Sequence, residues 1–469
     1  MKSYEDFLAS KRSLAQSVGF SVPRKTLNSS LFPWQAEVTQ WALEKGKAAL
    51  LESTGLGKTI QELAWADQVC RRSDGNVLLL APLCVSLQTH TEGIKFGIPT
   101  TLCRSQDDVT RGINITNYEM LDHFETANFK GVVMDESSKI KDFTSKSATT
   151  LIQRFANTPY KLCGTATPAP NDHAELGTHA EFLDVMTRSQ MLAMFFEHDG
   201  GQTSKWDLKG HARKPFWHWM ASWAVCLNLP SDLGYPDHAY ILPPLNMQEH
   251  VVSVDHSIAT EGMLFRCPEL SATGLHKELR LTIGDRARKV AELVRSKPDE
   301  QWLLWCNTDY EADAVKKIIP EVLEVRGSHP IPKKEAAIRG FLDGSVKWLL
   351  SKSSIFGFGL NLQCCHNMAF VGMSYSFEQV YQSIRRCWRF GQEHPVNAHI
   401  VVAETEGKIL EAHKRKQRQF EELQAGMVGA MRVEQLRARR GAYKYDHAMP
   451  TVIPPWMQPD TSEDGLYDN

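Results

Sequence analysis

A chain of 469 residues is longer than one hydrophobic core organises, so two or three domains are expected. Hydrophobic residues make up 42% and charged residues 23%, ordinary globular proportions, and no run of about 18 apolar residues occurs, which excludes a membrane-spanning helix. The formal net charge of −2 exerts no general pull on nucleic acid. Any basic footprint must be local, and two C-terminal clusters qualify: Lys408, Lys414, Arg415, Lys416 and Arg418, then Arg432, Arg437, Arg439, Arg440 and Lys444. Each reads first as a solvated helix face.

The polar start, Met1-Lys2-Ser3-Tyr4-Glu5-Asp6, has no apolar signal core, so a cytoplasmic protein is expected. Ten cysteines occur without a single Cys-x-x-Cys, and the one adjacent pair is Cys364-Cys365. Free thiols in a reducing compartment explain this better than disulfides or zinc.

After an N-terminal extension (1–30), residues 31–171 alternate short apolar runs with amphipathic stretches. Residues 48–51, 76–80, 113–115 and 131–134 read as buried parallel strands, and 60–71 reads as a helix. Residues 172–250 change character: helical stretches carry Phe195, Phe196, Trp206, Phe216, Trp217, Trp219 and Trp223, and Pro230, Pro236, Pro243 and Pro244 close the segment. A mostly helical insertion projecting from the first unit is expected there. Its tryptophans suit a small core better than a base-stacking wedge. A second α/β unit occupies 251–405, with strands at 301–306, 321–325, 346–351, 368–371 and 398–402 and helices at 309–319 and 332–342. Residues 406–469 form a basic helical extension and a Pro- and Asp-rich tail. The fold class is α/β: two parallel-sheet lobes, a helical insertion and a helical C-terminal extension.

Four segments carry the chemistry. Ser53-Thr54-Gly55-Leu56-Gly57-Lys58-Thr59 follows a strand and opens a helix. Gly55 and Gly57 permit a tight turn that aims backbone N–H groups at phosphate oxygens, Lys58 reaches the β- and γ-phosphates, and the Thr59 hydroxyl suits Mg²⁺. Asp135-Glu136 ends an apolar strand at the same sheet edge. Asp135 suits Mg²⁺, and Glu136 suits orienting or deprotonating water. Thr165 and Thr167, before Pro168, are placed to relay between Glu136 and a nucleic-acid groove. In the fourth, Arg386 and Arg389 lie three apart on a helix, so both face one cleft as charge-stabilising fingers, while Arg385 points elsewhere and serves a structural pairing.

Together these residues resemble the Swi/Snf-like branch of superfamily 2 helicases. Asp135-Glu136-Ser137-Ser138-Lys139-Ile140-Lys141-Asp142 is similar to that branch's Asp-Glu-Ala-His-Arg-Ile-Lys-Asn, with Ser138 in place of histidine. Glu52 to Thr59 resembles its Asp-Glu-Met-Gly-Leu-Gly-Lys-Thr loop, and Leu31-Phe32-Pro33-Trp34-Gln35 its Leu-Arg-Pro-Tyr-Gln, which implies an adenine contact for Gln35. Residues 350–362 resemble Leu-Ser-Thr-Lys-Ala-Gly-Gly-x-Gly-Leu-Asn-Leu and include Gly359, while Gln-x-x-x-Arg-x-x-Arg-x-Gly-Gln falls on Gln382, Arg386, Arg389, Gly391 and Gln392.

The resemblance implies two RecA-like lobes that bind ATP and Mg²⁺ through Gln35, Thr54, Gly55, Leu56, Gly57, Lys58, Thr59, Gly359 and Gln382. It also implies movement along DNA, duplex favoured, in a compact bacterial or phage-encoded enzyme. Thr116, Asn117, Asn307, Thr308, Ser351 and Ser353 are the candidates for sequence-nonspecific phosphate contacts. A strand-separating DNA or RNA helicase and a partner-dependent ATPase subunit of a restriction or repair complex stand as alternatives, with a protein partner on the insertion or the C-terminal extension.

Overall fold

The computed structural model describes residues 15–198, 206–237, 240–254, 279–356, 361–374 and 376–442. The first lobe is a seven-stranded sheet of order β3-β4-β2-β5-β6-β1-β9, parallel throughout. Its strands are β1 (Lys47–Glu52), β2 (Asn76–Ala81), β3 (Thr100–Leu102), β4 (Ile113–Asn117), β5 (Phe129–Asp135), β6 (Tyr160–Gly164) and, after the small antiparallel ribbon β7 (Phe196–His198) and β8 (Trp206–Leu208), β9 (Ala224–Leu227). The second lobe is a six-stranded parallel sheet of order β10-β15-β14-β11-β13-β12. It comprises β10 (Leu245–Val252), β11 (Trp302–Cys306), β12 (Leu323–Val325), β13 (Trp348–Lys352), β14 (Asn367–Phe370) and β15 (Val396–Ala403).

Helices cover both faces, so the central strands read as unbroken apolar runs: Leu78, Leu79 and Leu80 are fully buried in one lobe and Leu303 and Leu304 in the other. Five helices position the site: α1 (Pro33–Lys45), α2 (Lys58–Ser73), α3 (Arg213–Ala221), α4 (Phe377–Cys387) and α5 (Gly407–Ala442). Among the described residues no helix is long and apolar enough to cross a membrane.

The segment expected to project as an insertion is instead built into the first lobe. Its strand β9 pairs in parallel with β1, Glu52 opposite Leu227, while β10 at its end joins the second sheet. Phe195, Phe216, Trp219 and Trp223 are buried in the first lobe's main core, so these rings are packing rather than a wedge. A four-residue apolar run such as Ala224-Val225-Cys226-Leu227 looks like buried helix or strand alike; pairing with β1 decides it.

Helix α5 leaves the second lobe after β15 and packs on the first. Leu423 and Met427 are fully buried in the first lobe's core, and the Cys226 N–H donates to Met431 Sδ at 3.0 Å. Gly426 permits the approach, because a Cβ there would lie 2.5 Å from the Trp217 ring. The two lobes are thereby joined by this helix as well as by the chain crossing at 228–244.

Candidate active site

The phosphate loop spans β1 and α2. Gly55 (φ 95°) and Gly57 (φ 77°) adopt the left-handed region that a side chain disfavours, and they turn the chain from strand into helix. The Lys58 ammonium donates to the Glu52 carbonyl at 2.7 Å, so the lysine arches over the loop. Gln35, at the start of α1, braces the loop from behind. Its Nε2 donates to the Leu56 carbonyl at 2.8 Å, and its Oε1 accepts from the Phe32 N–H at 2.9 Å. Strand β9 supports the other side, where the Ser53 hydroxyl is 2.9 Å from Asn228 Oδ1.

Strand β5 ends at Asp135, and Glu136 turns sharply with φ 56°, an uncommon conformation for a side-chain-bearing residue that costs about 1–3 kcal/mol. The turn brings the carboxylate into the cleft. There one oxygen, Glu136 Oε1, accepts from Thr165 Oγ1 at 2.9 Å, Ser138 Oγ at 3.1 Å and Gln382 Nε2 at 3.3 Å. Ser138, which departs from the family's histidine, thus acts directly on the acid.

Gln382 belongs to α4 in the other lobe, and its Oε1 accepts from Arg386 Nη2 at 2.9 Å. One turn earlier, Glu378 Oε1 accepts from Thr167 Oγ1 at 3.3 Å and its other oxygen pairs with Lys141. The Thr167 N–H donates to Thr165 Oγ1 at 3.1 Å, which closes a polar chain from Glu136 through both threonines to the second lobe.

These groups enclose a cavity of about 240 Å³ whose walls include Thr54, Gly55, Gly57, Lys58, Thr59, Asp135, Glu136, Gln382, Arg386 and Arg389. The structure therefore brings together all five residues expected to be catalytic. Neither Gln35 nor Leu56 is part of the wall, and Gly359 falls outside the described residues, although Asn361, two residues on, lines the cavity. Arg385 lies outside it and stacks over Trp388, 4.3 Å from the ring centroid, as a structural pairing.

Burial dominates the electrostatics. It pushes Asp135 up to about 7, with the neighbouring Glu136 adding to the rise and Lys58 opposing it. Burial also raises Glu136, helped by Glu378, and raises Glu52 to about 7. Across the cleft, burial and then the charge of Arg389 lower Arg386 to about 10. Packed acids facing packed arginines leave a cavity suited to an anion and a hard cation together. The oxygen donors Thr59 and Asp135 fit Mg²⁺, which is ordinarily held by one or two protein oxygens plus phosphates. Among the described residues no cluster of three or more His, Cys, Asp or Glu forms an all-protein metal cage.

The six candidate backbone contacts sit at the C-terminal ends of strands in the two sheets: Thr116 and Asn117 close β4, Asn307 and Thr308 follow β11, and Ser351 and Ser353 lie at the end of β13. Thr116, Ser351 and Ser353 are buried, and Ser351 donates to the Val325 carbonyl at 2.9 Å. Asn117 accepts from the Met120 N–H at 3.2 Å, and the Asn307 N–H donates to Glu311 at 2.7 Å. Sequence reading passed over Glu378 and Lys141. The four-residue spacing of Glu378, Gln382 and Arg386 was the available signal for the first.

Two parallel sheets, a strand-borne phosphate loop and arginines supplied from the opposing lobe define a RecA-like, two-lobed nucleotide-binding protein. Residues 34–198 match the SNF2-related domain and residues 285–391 the helicase conserved C-terminal domain, together more than half of the chain. The chain belongs to the Swi/Snf-like branch of superfamily 2 helicases. It is 21% identical over 426 residues to mouse "DNA annealing helicase and endonuclease ZRANB3", covering 80% of this chain and 39% of that protein. It is 23% identical over 434 residues to the Bacillus subtilis "uncharacterized ATP-dependent helicase YqhH", covering 81% and 76%. The Sulfolobus solfataricus SWI2/SNF2 ATPase core in complex with dsDNA aligns with 89% of this chain and 98% of its own at 17% identity and a TM-score of 0.41. The chain thus spans about two fifths of the length of the mouse relative.

Proposed function

We propose that this protein hydrolyses Mg–ATP between its two lobes and uses the cycle to move along duplex DNA without reading sequence. The observation that carries the reading is the shared carboxylate: Glu136 takes donors from Thr165 and Ser138 of one lobe and Gln382 of the other. The attacking water's partner is thereby tied to lobe closure.

In this reading Thr54, Gly55, Leu56, Gly57 and Lys58 hold the phosphates, with Gln382 and Gly359 from the second lobe. An adenine contact by Gln35 requires its amide to exchange the Leu56 carbonyl for the base. Thr59 and Asp135 would hold Mg²⁺, which supplies charge neutralisation at the phosphates when bound. Glu136 orients water and accepts its proton. Arg386 and Arg389 meet the charge developing on the γ-phosphate, a contribution of about 10³–10⁵ in rate for a finger supplied across an interface.

Thr165 and Thr167 pass the state of Glu136 to Glu378, and so to the lobe edges where Thr116, Asn117, Asn307, Thr308, Ser351 and Ser353 face a phosphate backbone. Burial of three of these six favours contact through the backbone N–H groups and helix starts around them. Burial of Phe195, Phe216, Trp219 and Trp223 leaves these rings poorly placed to pry strands apart, which favours translocation. Eight described cysteines are free thiols, in keeping with a reducing cytoplasm.

The test is ATP-driven displacement of a third strand from a triplex, run beside unwinding of a forked duplex. Triplex displacement without fork opening is the expected result. Fork opening without triplex displacement would establish a strand-separating helicase instead. Activity that emerges only on adding a cell extract would point to a partner-dependent subunit.

A further inference from the structure

Behind the cleft, the phosphate-loop helix carries a carboxylate for which the chemistry above has no use. Glu62 lies three residues beyond Thr59 on α2, fully buried, and neither carboxylate oxygen meets a hydrogen-bond donor among the described residues. Its seat is set by a glycine. A Cβ on Gly164, the last residue of β6, would lie 1.9 Å from Glu62 Oε1, so the carboxylate fills the space a side chain would take.

Gly164 is the register partner of Asp135 on β5. Register partners on neighbouring parallel strands project to the same face. The Glu62 carboxylate therefore lies on the Asp135 side of the sheet, where Asp135 is among the charges acting on it. The i, i+3 spacing also sets Glu62 on the Thr59 face of α2. Thr59 and Asp135 line the cavity, and Glu62 sits beneath that wall on the same side of the sheet.

As packing alone this arrangement is doubly unfavourable. A buried carboxylate without a donor is costly, and glycine in a strand weakens it. Burial first, then the charge of Asp135, pushes the Glu62 carboxyl well above the ordinary range. Among the described residues, Lys58 opposes this rise, while Glu52 and Glu136 add to it. An acid raised in this way is neutral by itself, and further positive charge arriving beside it would convert it to the carboxylate.

We propose that Glu62 is a positioning residue for the divalent cation that Thr59 and Asp135 would hold, accepting hydrogen bonds from the cation's water ligands without touching the nucleotide. This rests on the Mg–ATP reading above. Mg²⁺ gives up its waters reluctantly, and outer partners that receive them are typically worth about 10–100-fold in metal affinity.

The experiment measures Mn²⁺ binding by electron paramagnetic resonance to the full chain saturated with a non-hydrolysable ATP analogue. Glu62→Gln is expected to weaken Mn²⁺ binding about 10–100-fold while the analogue's affinity without metal stays within about twofold. Gly164→Ala keeps the carboxylate but pushes it off its seat, and is expected to shift Mn²⁺ binding in the same direction. Wild-type Mn²⁺ affinity in either folded variant, or an equal loss of metal-free analogue binding, would overturn the assignment. If circular dichroism shows Glu62→Gln unfolded, Glu62→Asp, which keeps the charge but withdraws it by one methylene, takes its place under the same criteria. A wild-type protein that binds no analogue at all would instead refute the ATPase reading beneath it.

Discussion

The two walls of the nucleotide cavity are built on opposite plans. The first-lobe wall is assembled at or just past the ends of β1, β2, β5 and β6, so Lys58, Pro82, Asp135, Glu136 and Ala166 are placed by a sheet whose strands hold one another in register. The second-lobe wall takes Gln382 and Arg386 from one face of α4, a turn beyond Glu378, and Asn361, Gln363, Arg389 and Phe390 from the segments flanking that helix. Strand ends are tied to their neighbours through the sheet, whereas Glu378, Gln382 and Arg386 share one helix and so keep their mutual spacing wherever the second lobe stands. In the proposed cycle, rotation of the second lobe would withdraw Arg386, the Gln382 contact to Glu136 and the Glu378 contact to Thr167 together. In that cycle, binding chemistry would belong to the first wall and its timing to the second.

Substitutions on each wall should therefore fail differently. Lys58→Ala is expected to abolish hydrolysis, with turnover falling at least about 10³-fold and nucleotide binding weakened, as read by steady-state hydrolysis and equilibrium titration. Arg389→Ala should lower turnover more than about tenfold and as far as 10³-fold while nucleotide affinity changes little. Retention of more than a tenth of wild-type turnover would remove Arg389 from the finger role. Glu136→Gln should leave nucleotide binding intact, slow hydrolysis about 10²-fold or more, and trap a nucleotide-bound, DNA-clamped state visible as slowed DNA release.

Smaller effects sharpen the comparison. Glu378→Gln removes the charge that pairs with Lys141 but keeps a group able to accept from Thr167. It is expected to reduce DNA-stimulated turnover about tenfold while leaving the unstimulated rate nearly unchanged, because it acts on coupling between walls. Equal losses with and without DNA would place Glu378 in the chemistry itself.

The smallest effect concerns stability. Glu52 is held at about 7 when folded against an ordinary value of 4.5, so it binds its proton more tightly in the folded state. That contribution is present below about 4.5 and is lost as pH rises through about 7. Thermal melts of the nucleotide-free protein should decline across this window, and Glu52→Gln should flatten the decline by up to about 3 kcal/mol. A Glu52→Gln melting profile that keeps the wild-type slope would show the titration lies elsewhere.

The difference between the walls also governs what the sequence made legible. The first wall is local: Gly55, Gly57, Lys58 and Thr59 are contiguous, and Asp135-Glu136 announces itself by ending an apolar strand. Gln382, Arg386 and Arg389 were legible through a spaced motif. Glu378, in the same helix, was not, because its partners Thr167 and Lys141 are more than two hundred residues away and only packing brings them near. Strand β9 was hidden for a related reason, since its four residues gain strand character from β1. The candidate phosphate contacts show a third limit. Strand-end residues alternate between faces, so one residue of register separates a buried Thr116 from a half-buried Asn117.

The most direct measurement is steady-state ATP hydrolysis by the purified protein with no nucleic acid, duplex DNA, single-stranded DNA or RNA, with Lys58→Ala as the blank. A split active site completed by lobe closure on its track should give at least about tenfold stimulation by duplex DNA and none in the blank. Hydrolysis at one rate in every condition, or hydrolysis that survives Lys58→Ala, would contradict it.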